Sequence, residues 1–302
     1  MSKNLFSVFK NGTKKINYIY LFFFGTLFVL TFPPFNFWLL LFPSLTFLFL
    51  KSYYANSNKD SFLVGWFFGL SFFIFSLHWI FNSFLIRGDI YIYLIPISLF
   101  LFSSFLALFI GLTTFLNYKF KTSIILNILF FSVFWTFSEI LRGHLFTGFP
   151  WNLLAHTFSN FDSLIQISSI IGAYGLSFLI IYFVLSTGCL FLNLESKKKF
   201  IFFFTSFSIF LSIFFYGNNR LKISNSISET SYTVRIVQPN INQKDKLNFE
   251  KLEENYIKLV RLSLKNKMGS LNTSENLIIL WPETALFNSN HLKNFSIFKL
   301  LG

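Results

Sequence analysis

Residues 61–83 read SFLVGWFFGLSFFIFSLHWIFNS, and they contain no charged side chain. Apolar runs of about 18 or more residues predict helices that cross a membrane. Together with six other apolar runs, this stretch predicts seven spans, at residues 17–32, 35–50, 61–83, 90–117, 122–141, 163–193 and 199–216. The first two runs are short and predict a tight hairpin that turns at Pro33-Pro34. The predicted fold class is therefore a polytopic α-helical membrane bundle, which occupies residues 1–216.

The composition agrees with a membrane protein, since 54% of the residues are hydrophobic and only 12% are charged. The 49 phenylalanines accompany abundant Ile, Asn and Lys, which indicates a codon bias toward A and T rather than an aromatic binding site. Cys189 is the single cysteine, so the sequence excludes an intramolecular disulfide framework and a cysteine-cluster metal site.

The net charge of +13 is distributed unevenly over the connections between the spans. Eleven lysines fall on one side of the predicted bundle, namely Lys3, Lys10, Lys14, Lys15, Lys51, Lys59, Lys119, Lys121, Lys197, Lys198 and Lys199. Only Arg87 and Arg142 fall on the other side. Lysine and arginine concentrate in cytoplasmic connections, so the N-terminus is predicted in the cytoplasm and the chain after residue 217 outside. Topology thus explains the basic excess, and nucleic-acid binding is not expected.

After residue 217 the long apolar runs end, and the sequence takes the mixed polar and apolar pattern of a soluble domain. A polar linker is predicted for residues 217–231, followed by an alternating strand at 232–238. Residues 247–267 have the spacing of an amphipathic helix, and Leu277–Leu280 predict a strand buried on both faces. This order is the start of an α/β domain over residues 232–302. Because such a strand needs more layers than residues 232–302 supply, we expect the domain to continue beyond residue 302.

Trp281-Pro282-Glu283 follows directly on the second predicted strand. In one interpretation, Glu283 is a general acid or base whose pKa is tuned by Trp281 and by partial burial. In the other, Glu283 is an ordinary carboxylate that caps the next element after a turn set by Pro282. Physical reasoning from the sequence leaves both interpretations open.

A second candidate site is the stretch EILRGHLFTGFPWN at residues 139–152. Glu139 and Arg142 are three residues apart, so they share one face at the outer end of the fifth span. Ionisable groups that border a membrane usually have partners and often have a function. The stretch is interpreted either as a lipid-headgroup loop, with Arg142 meeting phosphate, or as a Glu–Arg pair with interfacial aromatics such as Trp151.

The remaining polar residues predict no chemistry of their own. No pair of histidine and carboxylate has the spacing of a metal site, and we expect neither a metal nor a cofactor. His78 is expected to hydrogen-bond a neighbouring helix, and Gly172 and Gly175 to allow close helix packing. Cys189 lies near the cytoplasmic end of the sixth predicted span, so it cannot act with Glu283.

Four motifs, in this order, resemble the apolipoprotein N-acyltransferases over nearly the whole chain. They are FPPF at residues 32–35, GWFFG at 65–69 with His78-Trp79, the stretch 139–151, and VRIVQPN at 234–240 leading to WPET at 281–284. The stretch 139–151 is the most specific of them, because Trp-Pro-Glu is shared with other nitrilase-like proteins.

The resemblance implies a nitrilase-like α-β-β-α domain on the periplasmic side of the bacterial inner membrane. It implies a Glu–Lys–Cys triad with Glu283 as the base, and a cysteine thioester that carries an acyl group from a phospholipid to the amine of a diacylglyceryl apolipoprotein. Substrate-binding roles are expected for Glu139, Arg142 and Trp151, and the protein is expected to be a monomer.

The triad lysine and cysteine have no counterpart here, so residues 1–302 alone are expected to be inactive. Two alternatives stay open: a membrane lipid-binding or scaffold fragment, and another membrane-anchored nitrilase-type amide hydrolase.

Overall fold

The computed structural model describes residues 14–87, 89–192, 195–224, 232–246, 248–264 and 277–283. The chain divides into two compact units, Met1–Asn225 and Ser226–Gly302. The last helix of the first unit ends at Ser224, so residues 217–224 are helical although the sequence assigned them to a linker. The division between the units therefore falls after the predicted end of the bundle at residue 216.

The first unit is built from helices. They are α1 (Lys14–Val29), α2 (Leu41–Tyr53), α3 (Asn58–Leu77), α4 (Asn82–Arg87), α5 (Asp89–Ile92), α6 (Ile95–Lys119), α7 (Ile124–His144), α8 (Asp162–Ile165), α9 (Ser168–Gly188) and α10 (Ser196–Ser224). Short 3₁₀ turns lie at Trp38–Leu40, His78–Phe81, Leu154–Phe158 and Cys189–Phe191.

Five helical stretches of the described chain are long and apolar enough to cross a membrane. These are Asn58–Leu85, Ile90–Lys119, Ile124–His144, Ser168–Phe191 and Lys197–Ile223. Tyr18–Val29 and Trp38–Tyr53 are apolar but shorter. The bundle is thus confirmed as a multi-pass helical membrane architecture, whereas a count of seven spans stays a prediction. The two short helices pack against each other across the turn that contains Pro33-Pro34, as the predicted hairpin requires.

Aromatic side chains fill the centre of the bundle. The buried ring of Phe28 contacts the rings of Phe68, Phe72 and Trp135 at centroid distances of 5.4, 5.0 and 6.1 Å. Lipid tails are as apolar as these side chains, so helices in a membrane associate through close van der Waals packing and interhelical hydrogen bonds. Phenylalanine therefore acts here as the packing residue of the core.

Helices α3 and α6 approach each other closely at Gly65 and Gly69. A Cβ atom at Gly65 would stand 2.5 Å from the carbonyl oxygen of Ile110 and would also overlap Thr114 Oγ1. At Gly69 the nearest atom would be Ala107 Cα, at 3.1 Å. Glycines four residues apart are a common device for close helix contact in membranes. The GWFFG stretch therefore has a packing role.

Gly65→Ala is expected to destabilise the first unit by about 1–3 kcal/mol, because the added methyl meets backbone that moves only with α6. Gly69→Ala is the matched control, since its contacts are longer and alanine is the better helix former. Thermal unfolding of both variants in the same detergent measures the difference. Equal losses for the two variants would refute the steric explanation.

The second unit contains β1 (Thr233–Ile236), α11 (Gln243–Lys246), a 3₁₀ turn at Phe249–Lys251, α12 (Leu252–Leu264) and β2 (Leu277–Leu280). The two strands are parallel, with Thr233 opposite Leu277 and Ile236 opposite Leu280. The predicted strand–helix–strand order is confirmed. The apolar side of α12 packs with Val237, Ile279 and Trp281.

The prediction that β2 is buried on both faces is wrong for the described residues. Leu277, Ile278 and Leu280 are each 44–49% exposed, and Ile279 packs against the cluster around α12. The physical reason is that α12 covers a single face of this two-stranded sheet.

Two smaller predictions about the bundle are also wrong. Gly172 does not mediate helix contact, since a Cβ there would have nothing within 4 Å; its φ of 68° instead kinks α9. His78 does not bond a neighbouring helix through Nδ1, which lies 2.8 Å from the carbonyl oxygen of Phe75 one turn earlier. Both predictions rested on the residue type and its place in or near a predicted span, and neither of these reveals the backbone path.

Candidate functional site

Glu139 lies in the last two turns of α7 and is 5% exposed. Its Oε1 accepts hydrogen bonds from Trp135 Nε1 at 3.1 Å and from the backbone N–H of Leu154 at 2.8 Å. Leu154 begins the 3₁₀ turn that follows the loop, so one carboxylate oxygen joins α7 to the far side of that loop. The Ser177 hydroxyl on α9 lies close to the carboxylate but outside hydrogen-bond geometry with Oε2.

Arg142 lies one turn further along α7 and is also 5% exposed. Its Nη1 donates to the carbonyl oxygen of Phe149 at 3.0 Å and to that of Trp151. A backbone hydrogen bond joins the same two residues in the opposite direction: the N–H of Phe149 donates to the Arg142 carbonyl at 2.8 Å. The guanidinium carbon also stands 5.5 Å from the centre of the Phe73 ring, within range of a cation–π contact. Arg142 therefore ties the loop to α7.

The Glu–Arg pair of the second interpretation does not form a salt bridge: among the described residues, the salt bridges within 4.0 Å are Lys198–Glu195 and Lys251–Asp245. The two side chains share a face of α7 but hydrogen-bond different parts of the chain. Glu139 accepts from the N–H of Leu154. Arg142 donates to the carbonyls of Phe149 and Trp151. The loop between residues 145 and 153 is thus fastened at two places.

The loop owes its path to unusual backbone geometry. Phe146, Gly148 and Asn152 have φ values of 58°, 76° and 53°. Gly148 is required at its position, because a Cβ there would overlap the carbonyl oxygen of Gly143. Left-handed conformations favour glycine and are tolerated by asparagine, so Gly148 and Asn152 fit this path, whereas the bulky Phe146 adopts it under strain.

Trp151 sits on this loop and is 49% exposed. Its ring lies 5.2 Å from the ring of Trp79, in the 3₁₀ turn after α3. It also lies 6.1 Å from the ring of Phe149, in a stacked arrangement. The ring of Phe149 in turn meets Phe102 of α6 edge-on at 5.2 Å. Tryptophans with one apolar face and a polar N–H are suited to the boundary between lipid and water.

A cavity of about 360 Å³ opens beside the loop. Its lining includes Phe102, Phe105 and Phe109 of α6 and Phe146 and Phe149 of the loop, and Arg142 contributes its only charge. Apolar pockets of this size with a few polar groups are the usual form of a small-ligand site. Because the lining is apolar except for Arg142, the cavity suits a hydrocarbon chain better than a charged ligand.

His156 lies in the 3₁₀ turn that follows the loop. Partial burial, assisted by the positive charge of Arg142, lowers the pKa of its imidazole. A lowered histidine pKa means that the ring is neutral at pH 7. It therefore adds no second positive charge near Arg142.

Glu283 belongs to the second unit, in the turn after β2. The carboxylate is exposed, so the partial burial expected from the sequence is not found. Two residues earlier, Trp281 is partly buried, and its Nε1 donates to the Ser263 hydroxyl of α12 at 2.9 Å. This hydrogen bond anchors the start of the turn that carries Glu283. The alternative helix-cap role falls on residues after 283, which lie outside the described chain.

The sequence pattern singled out Glu139, Arg142 and Trp151, and the structure brings all three to one loop. It missed Phe102 and Phe105, which line the cavity from α6. Phe102, Phe105 and Phe109 are spaced three and four residues apart, so the sequence alone could have placed them on one face of a helix. In a chain with 49 phenylalanines, however, such a stripe does not stand out.

Comparison with known proteins gives a consistent result. The family model described as apolipoprotein N-acyltransferase N-terminal domain matches residues 24–186, more than half of the chain. Relatives named apolipoprotein N-acyltransferase include that of Rhodopseudomonas palustris, 30% identical over 74% of this chain and 42% of the relative. That of Rickettsia prowazekii is 32% identical over 74% and 43%, and that of Rhizobium rhizogenes 29% over 87% and 51%.

The chain spans about half the length of these relatives. The match to the Rhizobium rhizogenes protein is longer than the first unit, which ends at Asn225, so it extends into the second unit. The family match itself includes α7, the loop and Trp151. From the matched length and the agreement among relatives, the chain belongs to the apolipoprotein N-acyltransferase family.

Proposed function

We propose that this chain forms the membrane bundle and carries the catalytic base of an enzyme that transfers an acyl chain from a phospholipid to the N-terminal diacylglyceryl-cysteine of apolipoproteins. The observation that carries the proposal is the family match over residues 24–186. That region contains the fastened loop and its aromatic cavity, which supply a place for the acyl chain. The names of the relatives support the reaction class.

In the proposed reaction, a cysteine thiolate attacks the ester carbonyl of the phospholipid. The acyl–oxygen bond breaks, and a lysophospholipid leaves with a proton on its freed oxygen. The α-amine of the lipoprotein then attacks the thioester and regenerates the thiol. Glu283 is the base that takes the thiol proton. Cys189 is 1% exposed within the bundle, so it is not the nucleophile.

The exposure of the Glu283 carboxylate agrees with this role, because a base must be reached by the group that it deprotonates. The parallel β-α-β arrangement of the second unit is consistent with the start of a nitrilase-like α-β-β-α domain, which we propose for residues 232–302. The lysine and cysteine of the triad would come from the rest of the family's length, since the relatives are about twice as long.

For the orientation, we propose a cytoplasmic N-terminus and a periplasmic second unit in the bacterial inner membrane. Lys119 ends α6, Lys121 lies between α6 and α7, and Lys197 and Lys198 lie at the start of α10. These connections are cytoplasmic by the positive-inside rule. The short helices α1 and α2 return the chain to its starting side whether or not they cross fully. Five long spans then leave Ser226 and the residues after it outside.

We propose that Trp151 and the cavity contact the phospholipid, whereas Glu139 and Arg142 act as positioning residues. A guanidinium that is 5% exposed and bonded to two carbonyls has little surface to offer a headgroup phosphate. The acyl chain enters the cavity between α6 and the loop, where Phe146 is its most exposed wall.

Phe146→Ala is expected to raise the KM for phospholipid about tenfold in the full-length protein. Covering roughly half of a phenyl ring with an acyl chain contributes about 1.4 kcal/mol, which corresponds to that factor. Phe191→Ala is the matched control, because Phe191 is 84% exposed against 85% for Phe146 and does not line the cavity. The rate of thioester formation, measured over a range of fluorescent phospholipid concentrations, gives the KM of each variant.

An unchanged KM in Phe146→Ala, or an equal change in Phe191→Ala, would remove the cavity from the acyl-chain site. Formation of the thioester with phospholipid also separates this function from the alternatives. A lipid-binding scaffold forms no thioester, and an amide hydrolase forms one from an amide but not from a phospholipid.

A further inference from the structure

Two buried polar atoms at the base of the loop have no hydrogen-bond partner among the described residues. They are Glu139 Oε2 and Asn152 Nδ2, each with essentially no exposed area. An unsatisfied buried donor or acceptor costs a protein free energy, and native structures rarely keep one. The described residues contain eight such side-chain atoms, and these two are a complementary acceptor and donor at one place, which points to a shared partner.

Both residues line the same small void. Its volume is about 10 Å³, and its walls also include Arg142, Thr113 and Ser138. Phe72, Phe73 and Trp135 close it with apolar surface. A void needs roughly 10–15 Å³ of this kind of volume to hold one water molecule, and a water needs two to four polar partners. The volume of the void is at the lower limit for one water molecule, and its polar side chains supply the partners that a water needs.

We propose that this void is the binding site of a single buried water molecule that bridges α7 and the loop. The water accepts a hydrogen bond from Asn152 Nδ2 and donates one to Glu139 Oε2. The hydroxyls of Thr113 and Ser138, which are 2.9 Å apart, stand in the same wall and offer further partners. Empty cavities in proteins are apolar, and this one is not.

The alternatives for the occupant are excluded by size and charge. A phosphate or any lipid headgroup is far larger than 10 Å³. A metal cation would sit against the guanidinium of Arg142, which lines the same void and repels it. A neutral molecule of one heavy atom that both donates and accepts remains, and that is water.

The bridge adds a third fastening to the loop. Glu139 already holds Leu154, and Arg142 holds Phe149 and Trp151. The water ties Asn152, the neighbour of Trp151, to the same carboxylate as Leu154. This inference rests on the geometry of the bundle and not on the proposed acyl transfer, so either one can fail without the other.

The first test is an experimental map of residues 1–302 in lipid nanodiscs that resolves other buried waters. A peak within hydrogen-bond distance of both Glu139 Oε2 and Asn152 Nδ2 is expected. A map that shows the void empty, or the two side chains bonded directly to each other, overturns the proposal.

The second test is a double-mutant cycle with Asn152→Asp and Glu139→Gln, read as the midpoint of thermal unfolding. Asn152→Asp replaces the donor with an acceptor that faces the Glu139 carboxylate across the water, so we expect a drop of about 4 °C or more. Adding Glu139→Gln removes one of the two charges and is expected to restore at least half of that drop.

Asn240→Asp is the matched control, since Asn240 also has a positive φ, of 47°, and lies in the second unit away from the void. Aspartate tolerates this backbone conformation as asparagine does, so backbone strain does not explain a difference. The control is expected to change the midpoint by less than about 1 °C. Strictly additive effects of the two substitutions in the cycle, or an equal drop in the control, overturn the water bridge.

Discussion

Glu283→Gln is expected to slow thioester formation by about 10²- to 10⁴-fold in the full-length protein, the range that general bases contribute. Glutamine keeps the shape of the side chain and loses its basicity. The thiol would then have to lose its proton to water, and few of the cysteines would be thiolates at neutral pH. Trp281 keeps its hydrogen bond to Ser263 in this variant, so the position of the turn is unchanged.

The measurement is the rate of acyl-enzyme formation from a labelled phospholipid, with the folded fraction determined in parallel. Glu250→Gln provides the matched control, because Glu250 is another exposed glutamate of the second unit, in the 3₁₀ turn before α12. Its rate is expected to stay within about twofold of the parent. A Glu283→Gln protein that is folded and retains more than about half of the rate would refute the role as base.

Arg142→Ala is expected to lower the free energy of unfolding of the first unit by about 3 kcal/mol or more. The substitution leaves the part-buried carbonyls of Phe149 and Trp151 without their donor, and hydrogen bonds to charged groups contribute about 1.5–3 kcal/mol each. It also leaves the Glu139 carboxylate without the nearby positive charge. Arg142→Lys is expected to lose less, because an ammonium reaches one carbonyl but cannot match the guanidinium fork.

Arg220→Ala is the control, since Arg220 lies on an exposed part of α10 and donates to the hydroxyls of Ser169 in α9 and Tyr216 in α10. We expect Arg220→Ala to change the free energy of unfolding by less than about 1 kcal/mol. In the full-length protein, Arg142→Ala should reduce the amount of folded protein and thioester formation in the same proportion. A selective loss of thioester formation with normal protein level would favour the earlier interpretation, in which Arg142 meets the headgroup phosphate.

Elements with a strong hydrophobic pattern were predictable from the sequence. The apolar run at residues 61–83 became α3 with its following turn, and the run at 122–141 became α7 with an end three residues later. The spacing of Leu252, Tyr256 and Leu259 located α12, because one buried stripe is what makes such a helix stable. Weaker signals failed at boundaries, as in the helical residues 217–224 that read as a polar linker.

The sequence by itself determined the membrane bundle, the β-α-β start of the second unit and the candidate site residues Glu139, Arg142, Trp151 and Glu283. Hydropathy and periodicity are local properties, and they suffice for these conclusions. Only the tertiary structure decided what Glu139 and Arg142 do. Their spacing suggested a pair, yet each holds a segment 7 to 15 residues further along the chain. Those contacts depend on the left-handed turns at Phe146, Gly148 and Asn152, and a loop path of that kind has no hydrophobic period to predict it.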